Sequence, residues 1–334
     1  MEKVRFFFLN TNLIKFDNIS KSIMIMSKGA FSTLPATEPK LYSKLVQFQT
    51  KRRRLVDLNA VYEDSLSSGS PLGTVIGFHG TPGSHRDFKY VRQRLEHMNI
   101  RFIGINYPGF KQTPAYPGQH FGNWERNSYS EALLNELDVP GKVIIMGHSR
   151  GCENALITAA NRKPHGLVMA NPTGLRINKG SRPKGKLESL IYLHKKLPKK
   201  IGDAILYNLM KLVGFKIHDG EEAVAVIRAI MNCDLEKQLE YILKLNELPT
   251  KTMITFGGSD HLIEKEIVFE ALKKYQGLAH FNFKANITES EKQKIMESFK
   301  NQKGTSVFIA KDNHFQNKKR ADLLADAARS MLLN

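Results

Sequence analysis

Short apolar runs alternate with longer amphipathic stretches along most of the chain, and this alternation predicts a layered α/β architecture. Leu45–Gln49 and Leu55–Tyr62 carry partial period-two alternation around the basic turn Lys51-Arg52-Arg53-Arg54, which predicts a strand pair at a sheet edge. Gly73–Phe78, Ile100–Asn106, Lys142–Met146 and Gly166–Ala170 are near-continuous apolar runs, the pattern of strands buried on both faces. Between them, Asp87–His97, Trp124–Leu137 and the stretch from Cys152 to Ala160 have helical spacing. Strand–helix–strand repetition of this kind implies right-handed crossovers and a mostly parallel sheet with helices on both faces. The rhythm breaks between Pro172 and Glu247, where no strand pattern occurs. That stretch holds helical patterns at Leu187–Leu197, Ile201–Val213, Glu221–Met231 and Leu235–Leu245, preceded by the basic loop Lys179–Lys186. The rhythm then resumes with a strand at Thr252–Phe256, a helix at Ile263–Tyr275, a helix opened by the capping-box spacing Thr288-Glu-Ser-Glu291, a strand at Ser306–Ala310 and a helix at Arg320–Leu333. The expected organisation is a tail over 1–40, a core formed by 41–171 and 248–334, and a helical cap inserted at 172–247.

Composition refines this picture without redirecting it. A chain of 334 residues, 41% hydrophobic and 9% aromatic, is long enough to bury a substantial core in one large domain. The net charge is +18, from 50 Lys and Arg against 32 Asp and Glu. That balance points to acidic partners, an anionic membrane surface among them, but no nucleic-acid-binding motif accompanies it and no specific nucleic acid is expected. Two cysteines, Cys152 and Cys233, make no disulfide framework and favour a reducing compartment. No apolar run is long enough to span a membrane. Phe6-Phe-Phe-Leu9 is too short for a signal-peptide core, while Arg5, Lys15, Lys21 and Lys28 among Ser and Thr give the tail a partial resemblance to a mitochondrial presequence. Glu2 and Asp17 weigh against that, and a tail of low order, with a start at Met24 or Met26, is the plainer reading. Cytoplasmic residence is expected, with mitochondrial import as the alternative.

The chemistry gathers where predicted strands end. Val143–Met146 runs into Gly147-His148-Ser149-Arg150-Gly151 and then into a helix. A strand turning sharply into a helix around a serine exposes the hydroxyl at the tip of a strained turn, where a positive φ is expected. Gly147 and Gly151 let strand and helix pass close together. The strand Gly73–Phe78 ends in His79-Gly80-Thr81-Pro82-Gly83-Ser84, Thr252–Phe256 ends in Gly257-Gly258-Ser259-Asp260, and the last strand ends in Asn313-His314-Phe315. Taken with their order, these motifs resemble a serine α/β-hydrolase with a helical cap over roughly residues 45–334. The HGTPGS loop and GHSRG elbow also resemble a poorly characterised animal branch of that superfamily, whose substrates are unassigned.

The resemblance implies roles for particular residues. Ser149 would be the nucleophile, His314 the base that takes and returns its proton, and Asp260 the acid that holds the imidazole, in the family's chain order. Asp312 is the rival acid, and Asp260 could instead serve as a helix cap. After Gly166–Ala170, where the superfamily sometimes places its carboxylate, the chain has Asn171-Pro172. The oxyanion hole would use the backbone N–H of Arg150 and of Thr81, since Pro82 has none. The Arg150 side chain is expected either to reach solvent or to pair with an acidic group such as Glu153. His79 and His148 are read as loop-orienting histidines. His261 has no ligand cluster around it, so no metal is expected, and the dinucleotide fingerprint is absent, so no cofactor is expected.

These readings lead to hydrolysis of a carboxylic ester, thioester or amide through an acyl-enzyme. A serine at the elbow argues against epoxide and haloalkane hydrolysis, which use a carboxylate nucleophile. The substrate would be a small acyl compound with an apolar moiety. Leu190, Ile191, Leu197, Leu206, Leu209, Met210 and Ile227 would either line an acyl pocket or only pack the helices together. The alternative is a non-catalytic binding protein on the same fold, docking on anionic membrane surfaces through Lys51–Arg54, Lys179–Lys186 and Lys195–Lys200.

Overall fold

The computed structural model describes residues 38–212 and 214–334. The expectations for the tail before residue 38, and for Val213 as a helix end, lie outside the described residues. The strands are β1 (Leu41–Gln49), β2 (Leu55–Asp64), β3 (Thr74–Phe78), β4 (Arg101–Ile105), β5 (Val143–His148), β6 (Gly166–Ala170), β7 (Lys251–Gly257), β8 (Leu278–Phe283) and β9 (Gly304–Ile309). They form one sheet in the order β1-β2-β4-β3-β5-β6-β7-β9-β8. β1 and β2 make an antiparallel hairpin at one edge, closed by the exposed basic turn, and β2 runs antiparallel to β4. All other pairings are parallel.

Period-two alternation in the central strands sends neighbouring side chains into two separate cores. Ile76, Ile103, Ile145 and Leu167 enter one. Val75, Phe102, Ile144 and Val168 enter the other. The first core is covered by α2 (Asn123–Leu137), through Tyr129, Leu133 and Leu134, and by α3 (Gly151–Arg162), through Ala155, Leu156 and Ala159. The second is covered by α1 (Lys89–His97), α9 (Glu289–Asn301) and α11 (Ala321–Leu333), through Val91, Leu95, Ile295, Phe299, Leu324 and Ala328.

Between β6 and β7 the chain is helical: α4 (Lys184–Lys196), α5 (Lys199–Leu212), α6 (Gly220–Met231) and α7 (Gln238–Asn246). Ile191, Leu206, Met210 and Ile227 are buried in the first core, with Leu190 and Leu209 packed against it. Two short helices complete the chain, α8 (Lys265–Leu272) after β7 and α10 (Gln316–Lys319) after β9.

Two elements depart from the sequence reading. β8 was not expected. As the sheet's far edge it pairs on one side only and has no fully buried side chain, so Leu278, Phe281 and Phe283 do not form a recognisable apolar run. β1 begins at Leu41 rather than Leu45, because its first five residues are exposed and held by pairing with β2 rather than by burial.

Candidate active site

The turn between β5 and α3 is shaped by its glycines. Ser149 sits at φ 53°, in the left-handed region. A Cβ on Gly151 would lie 2.0 Å from the Phe78 carbonyl oxygen, and one on Gly147 would lie 2.7 Å from Cys152 Cα. Backbone therefore approaches backbone on both sides of the serine, and only glycine permits it. The Ser149 N–H donates to the Ala170 carbonyl at 2.9 Å, and its own carbonyl accepts from Cys152 N–H at 2.9 Å.

The β9–α10 loop and the end of β7 bring two expected partners to this serine. His314 Nε2 lies 2.8 Å from Ser149 Oγ. Its Nδ1 lies 2.8 Å from Asp260 Oδ2. All three side chains therefore lie on one hydrogen-bonded line, and Asp260 also does the capping work considered for it. Its Oδ1 accepts from the backbone N–H of Leu262 at 2.8 Å and of Ile263 at 2.9 Å. Burial opposes ionisation of Asp260, but the imidazole of His314 and these two amides outweigh it and hold the carboxyl below the usual carboxylate range. Asp312 is turned elsewhere: it is fully buried and paired with Lys319 and Arg320.

Asn171, at the strand end where an acid was looked for, supports the acid instead. Its amide donates to Asp260 Oδ2 at 3.1 Å and to the Asn313 carbonyl at 3.3 Å. His148 spans two loops, with Nε2 3.0 Å from the His314 carbonyl and Nδ1 3.3 Å from Asp87. Asp87 in turn accepts from the Gly80 N–H at 3.1 Å. His79 is buried and accepts the Tyr107 N–H on Nε2 at 3.1 Å, with its Nδ1 2.8 Å from the Gly80 carbonyl. Burial above all, with the charge of Arg126 adding to it, pushes His79 down to about 3, so the ring is neutral. Through these bonds both histidines tie neighbouring loops together.

The His79-Gly80 loop lies against the elbow: a Cβ on Gly80 would be 3.2 Å from Ser149 Cβ. Thr81 follows in that loop. Its hydroxyl accepts from Arg126 Nη1 at 3.3 Å, while Arg126 Nη2 donates to the His79 carbonyl at 3.0 Å. The same guanidinium covers the Tyr107 ring, 3.8 Å from its centroid. Arg126 was missed in the sequence, yet a signal was there. It shares the buried face of α2 with Tyr129 and Leu133, so a charge occupies a core-facing position. Burial lowers it, with repulsion from Arg150 adding to the effect, to about 10, which leaves it protonated at neutral pH.

Arg150 corrects the reading of its side chain in both respects. It does not reach solvent, being 3% exposed. Nor does it pair directly with Glu153. Its Nε donates to Cys233 Sγ at 3.0 Å, and Nη2 reaches the Phe121 carbonyl and Asn123 Oδ1 at 3.3 Å and the Asn232 carbonyl at 3.4 Å. Asn123 stands between it and Glu153, donating to the carboxylate at 2.5 Å. The turn allows this because the elbow's tight geometry aims residue 150 toward the loop before α2 and the end of α6, where neutral acceptors cluster.

A solved esterase from Exiguobacterium antarcticum is similar in structure, with a TM-score of 0.57 and 15% identity, covering 86% of this chain and 99% of that one. An esterase from Thermogutta terrifontis has a TM-score of 0.58 and 14% identity, covering 86% and 97%. A mutant of the haloalkane dehalogenase DatA from Agrobacterium tumefaciens C58 has a TM-score of 0.59 and 13% identity, covering 87% and 97%. At these identities the likeness is one of fold, and it includes neighbours with different chemistry. In sequence, the "Uncharacterized protein F35H12.5" of Caenorhabditis elegans is 29% identical over 289 residues, 81% of this chain and 80% of that protein. A family model described as "Alpha/beta hydrolase of unknown function (DUF1057)" matches residues 38–333. With the sheet order, the elbow and the loops above already in place, that match over nearly the whole described chain makes this protein a member of the DUF1057 family of α/β-hydrolases.

Proposed function

We propose that the protein is a serine hydrolase that cleaves a carboxylic ester, thioester or amide through an acyl-enzyme. The observation that carries this reading is the unbroken hydrogen-bonded line from Ser149 through His314 to Asp260. Ser149 Oγ attacks the substrate carbonyl while His314 Nε2 takes its proton. Asp260 steadies the imidazolium that results. The negative charge on the carbonyl oxygen is met by the N–H groups of Thr81 and Arg150. Collapse of this intermediate expels the alcohol, thiol or amine, which takes the proton from His314. A water activated by the same histidine then releases the acid and restores Ser149. Residues 172–247 act as a cap over this centre, and Arg150 ties the end of α6 to the elbow.

A non-catalytic role would fit a histidine held out of reach of the serine, and the 2.8 Å contact weighs against it. Docking on an anionic membrane is compatible with catalysis. Ile201, Ile205 and Leu212 form an exposed stripe on α5, with Lys195, Lys196, Lys200 and Lys211 exposed around it.

The direct test is labelling with a serine-reactive fluorophosphonate. Wild-type protein is expected to label and the Ser149→Ala variant to stay unlabelled. Folded wild-type protein that does not react, or label that persists in Ser149→Ala, would refute the reading.

A further inference from the structure

One carboxylate is bonded to both halves of the proposed centre. Asp87 lies in the short turn His85–Phe88 ahead of α1, outside the line of Ser149, His314 and Asp260. Its Oδ2 meets two donors, the Gly80 N–H at 3.1 Å and His148 Nδ1 at 3.3 Å. On the far side of that ring, His148 Nε2 lies 3.0 Å from the His314 carbonyl. A second route starts from the same residue. The Asp87 carbonyl accepts from Asn317 Nδ2 at 2.6 Å, in α10, the helix that follows His314. Both neighbours of the His148 ring are acceptors, so its two bonds coexist only when both ring nitrogens carry hydrogen, and the Asp87 carboxylate balances that form. Burial opposes ionisation of Asp87, but the hydrogen bond and charge of His148, with the Gly80 N–H, outweigh it and hold the carboxyl below its usual range.

The carboxylate helps to fix the peptide that carries the Thr81 N–H. Gly80 is held at both its polar groups, its N–H by Asp87 and its carbonyl by His79. The His79 bond has a definite sense. Nε2 accepts the Tyr107 N–H, so in the neutral ring Nδ1 carries the hydrogen and donates to the Gly80 carbonyl. In a trans peptide the N–H points opposite to the C=O, so a fixed Gly80 carbonyl sets the direction of the Thr81 N–H. No backbone carbonyl among the described residues accepts from that N–H or from the Arg150 N–H. The loop also closes tightly on the carboxylate: a Cβ on Gly83 would lie 2.7 Å from Asp87 Oδ2 and 2.9 Å from His79 Nδ1.

We propose that Asp87 and His148 are positioning residues, a clamp that fixes the loop carrying Thr81 against the loop carrying His314 so that oxyanion donor and base move as one unit. The pair acts on the rate of the chemical step rather than on substrate binding. This deepens the serine-hydrolase reading and rests on it for what the two loops do.

The experiment follows hydrolysis of p-nitrophenyl butyrate, with active sites counted by the end point of fluorophosphonate labelling. Asp87→Ala is expected to lower kcat per labelled site by about 10²-fold, with KM within about threefold of wild type. Asp87→Asn keeps an oxygen where the two donors meet and should retain about ten times the kcat of Asp87→Ala. His148→Phe keeps the ring and loses both nitrogens, so it should fall like Asp87→Ala, and the double variant should fall little further than either alone. A purely structural role would reduce the fraction of protein that labels and leave kcat per labelled site unchanged, which overturns the proposal. Equal losses in Asp87→Asn and Asp87→Ala, or losses that multiply in the double variant, overturn it too. Hydrogen exchange supplies a measure that needs no turnover: Asp87→Ala should quicken exchange in residues 311–316 as well as in 79–84. Quickening confined to 79–84 overturns the clamp and leaves the hydrolase reading standing. If wild-type protein neither labels nor hydrolyses, the hydrolase reading fails and the exchange pattern alone decides the clamp.

Discussion

At Asp260 a single carboxylate serves two structures, one oxygen capping the turn at Leu262 and Ile263 and the other receiving His314 and Asn171. Asp260→Asn separates these roles, because an amide oxygen still caps the turn while the negative charge is gone. Its kcat is expected to fall by about 10³–10⁴ with little change in Tm, read from ester hydrolysis and thermal melting of the same preparation. A Tm loss with unchanged kcat would make Asp260 a cap only. His79 gives a second test. Its neutral ring is buried, so its stabilising contribution is fully present above the unfolded value of about 6.5. It is lost as pH falls from there toward the folded value of about 3. At pH 5 the loss is about 2 kcal/mol relative to pH 7. Urea unfolding at pH 7, 6 and 5 should show this decline in wild type and a flatter one in His79→Gln.

That Ser149, Asp260 and His314 would meet was legible in the sequence, because the proposed chemistry demands those residue types at strand ends. Arg126 was not, since one arginine in an amphipathic helix ordinarily lies on the solvated face. Arg150 was noticed but misdirected, because spacing says nothing of where a side chain at a tight turn is aimed.

Among the elements, the elbow depends most on backbone contact. Gly151→Ala would drive a Cβ against the Phe78 carbonyl, where no side chain can yield. It is expected to cost about 2–3 kcal/mol in urea unfolding. Gly185, near the start of α4, has nothing within 4 Å of a built Cβ, so Gly185→Ala should be neutral or stabilise by up to about 1 kcal/mol. If both alanines behave alike, the close approach of α3 to β3 does not govern stability. The same contrast explains which elements could be read beforehand. Strands buried on both faces announce themselves as apolar runs, and helices between them by their period. β8 and the outer half of β1 are held by ladder hydrogen bonds, which leave no mark on composition.

For the molecule as a whole, the net charge of +18 bears on the anionic docking proposed above. Among the described residues no helix is long and apolar enough to cross a membrane. Vesicles containing phosphatidylserine are expected to retain the protein at low salt and release it as salt rises, with vesicles of phosphatidylcholine retaining less. Ile205→Ser/Leu212→Ser should weaken retention. Equal retention on both vesicles would remove the docking face from the account.

The contacts of Arg150 with Asn232 and Cys233, just past the end of α6, have a thermodynamic consequence for that helix. Any outward swing of the end of α6 must break them and leave the guanidinium beside Ser149 held by Phe121 and Asn123 alone. Hydrogen exchange at the end of α6 should quicken in Arg150→Met, which removes both contacts.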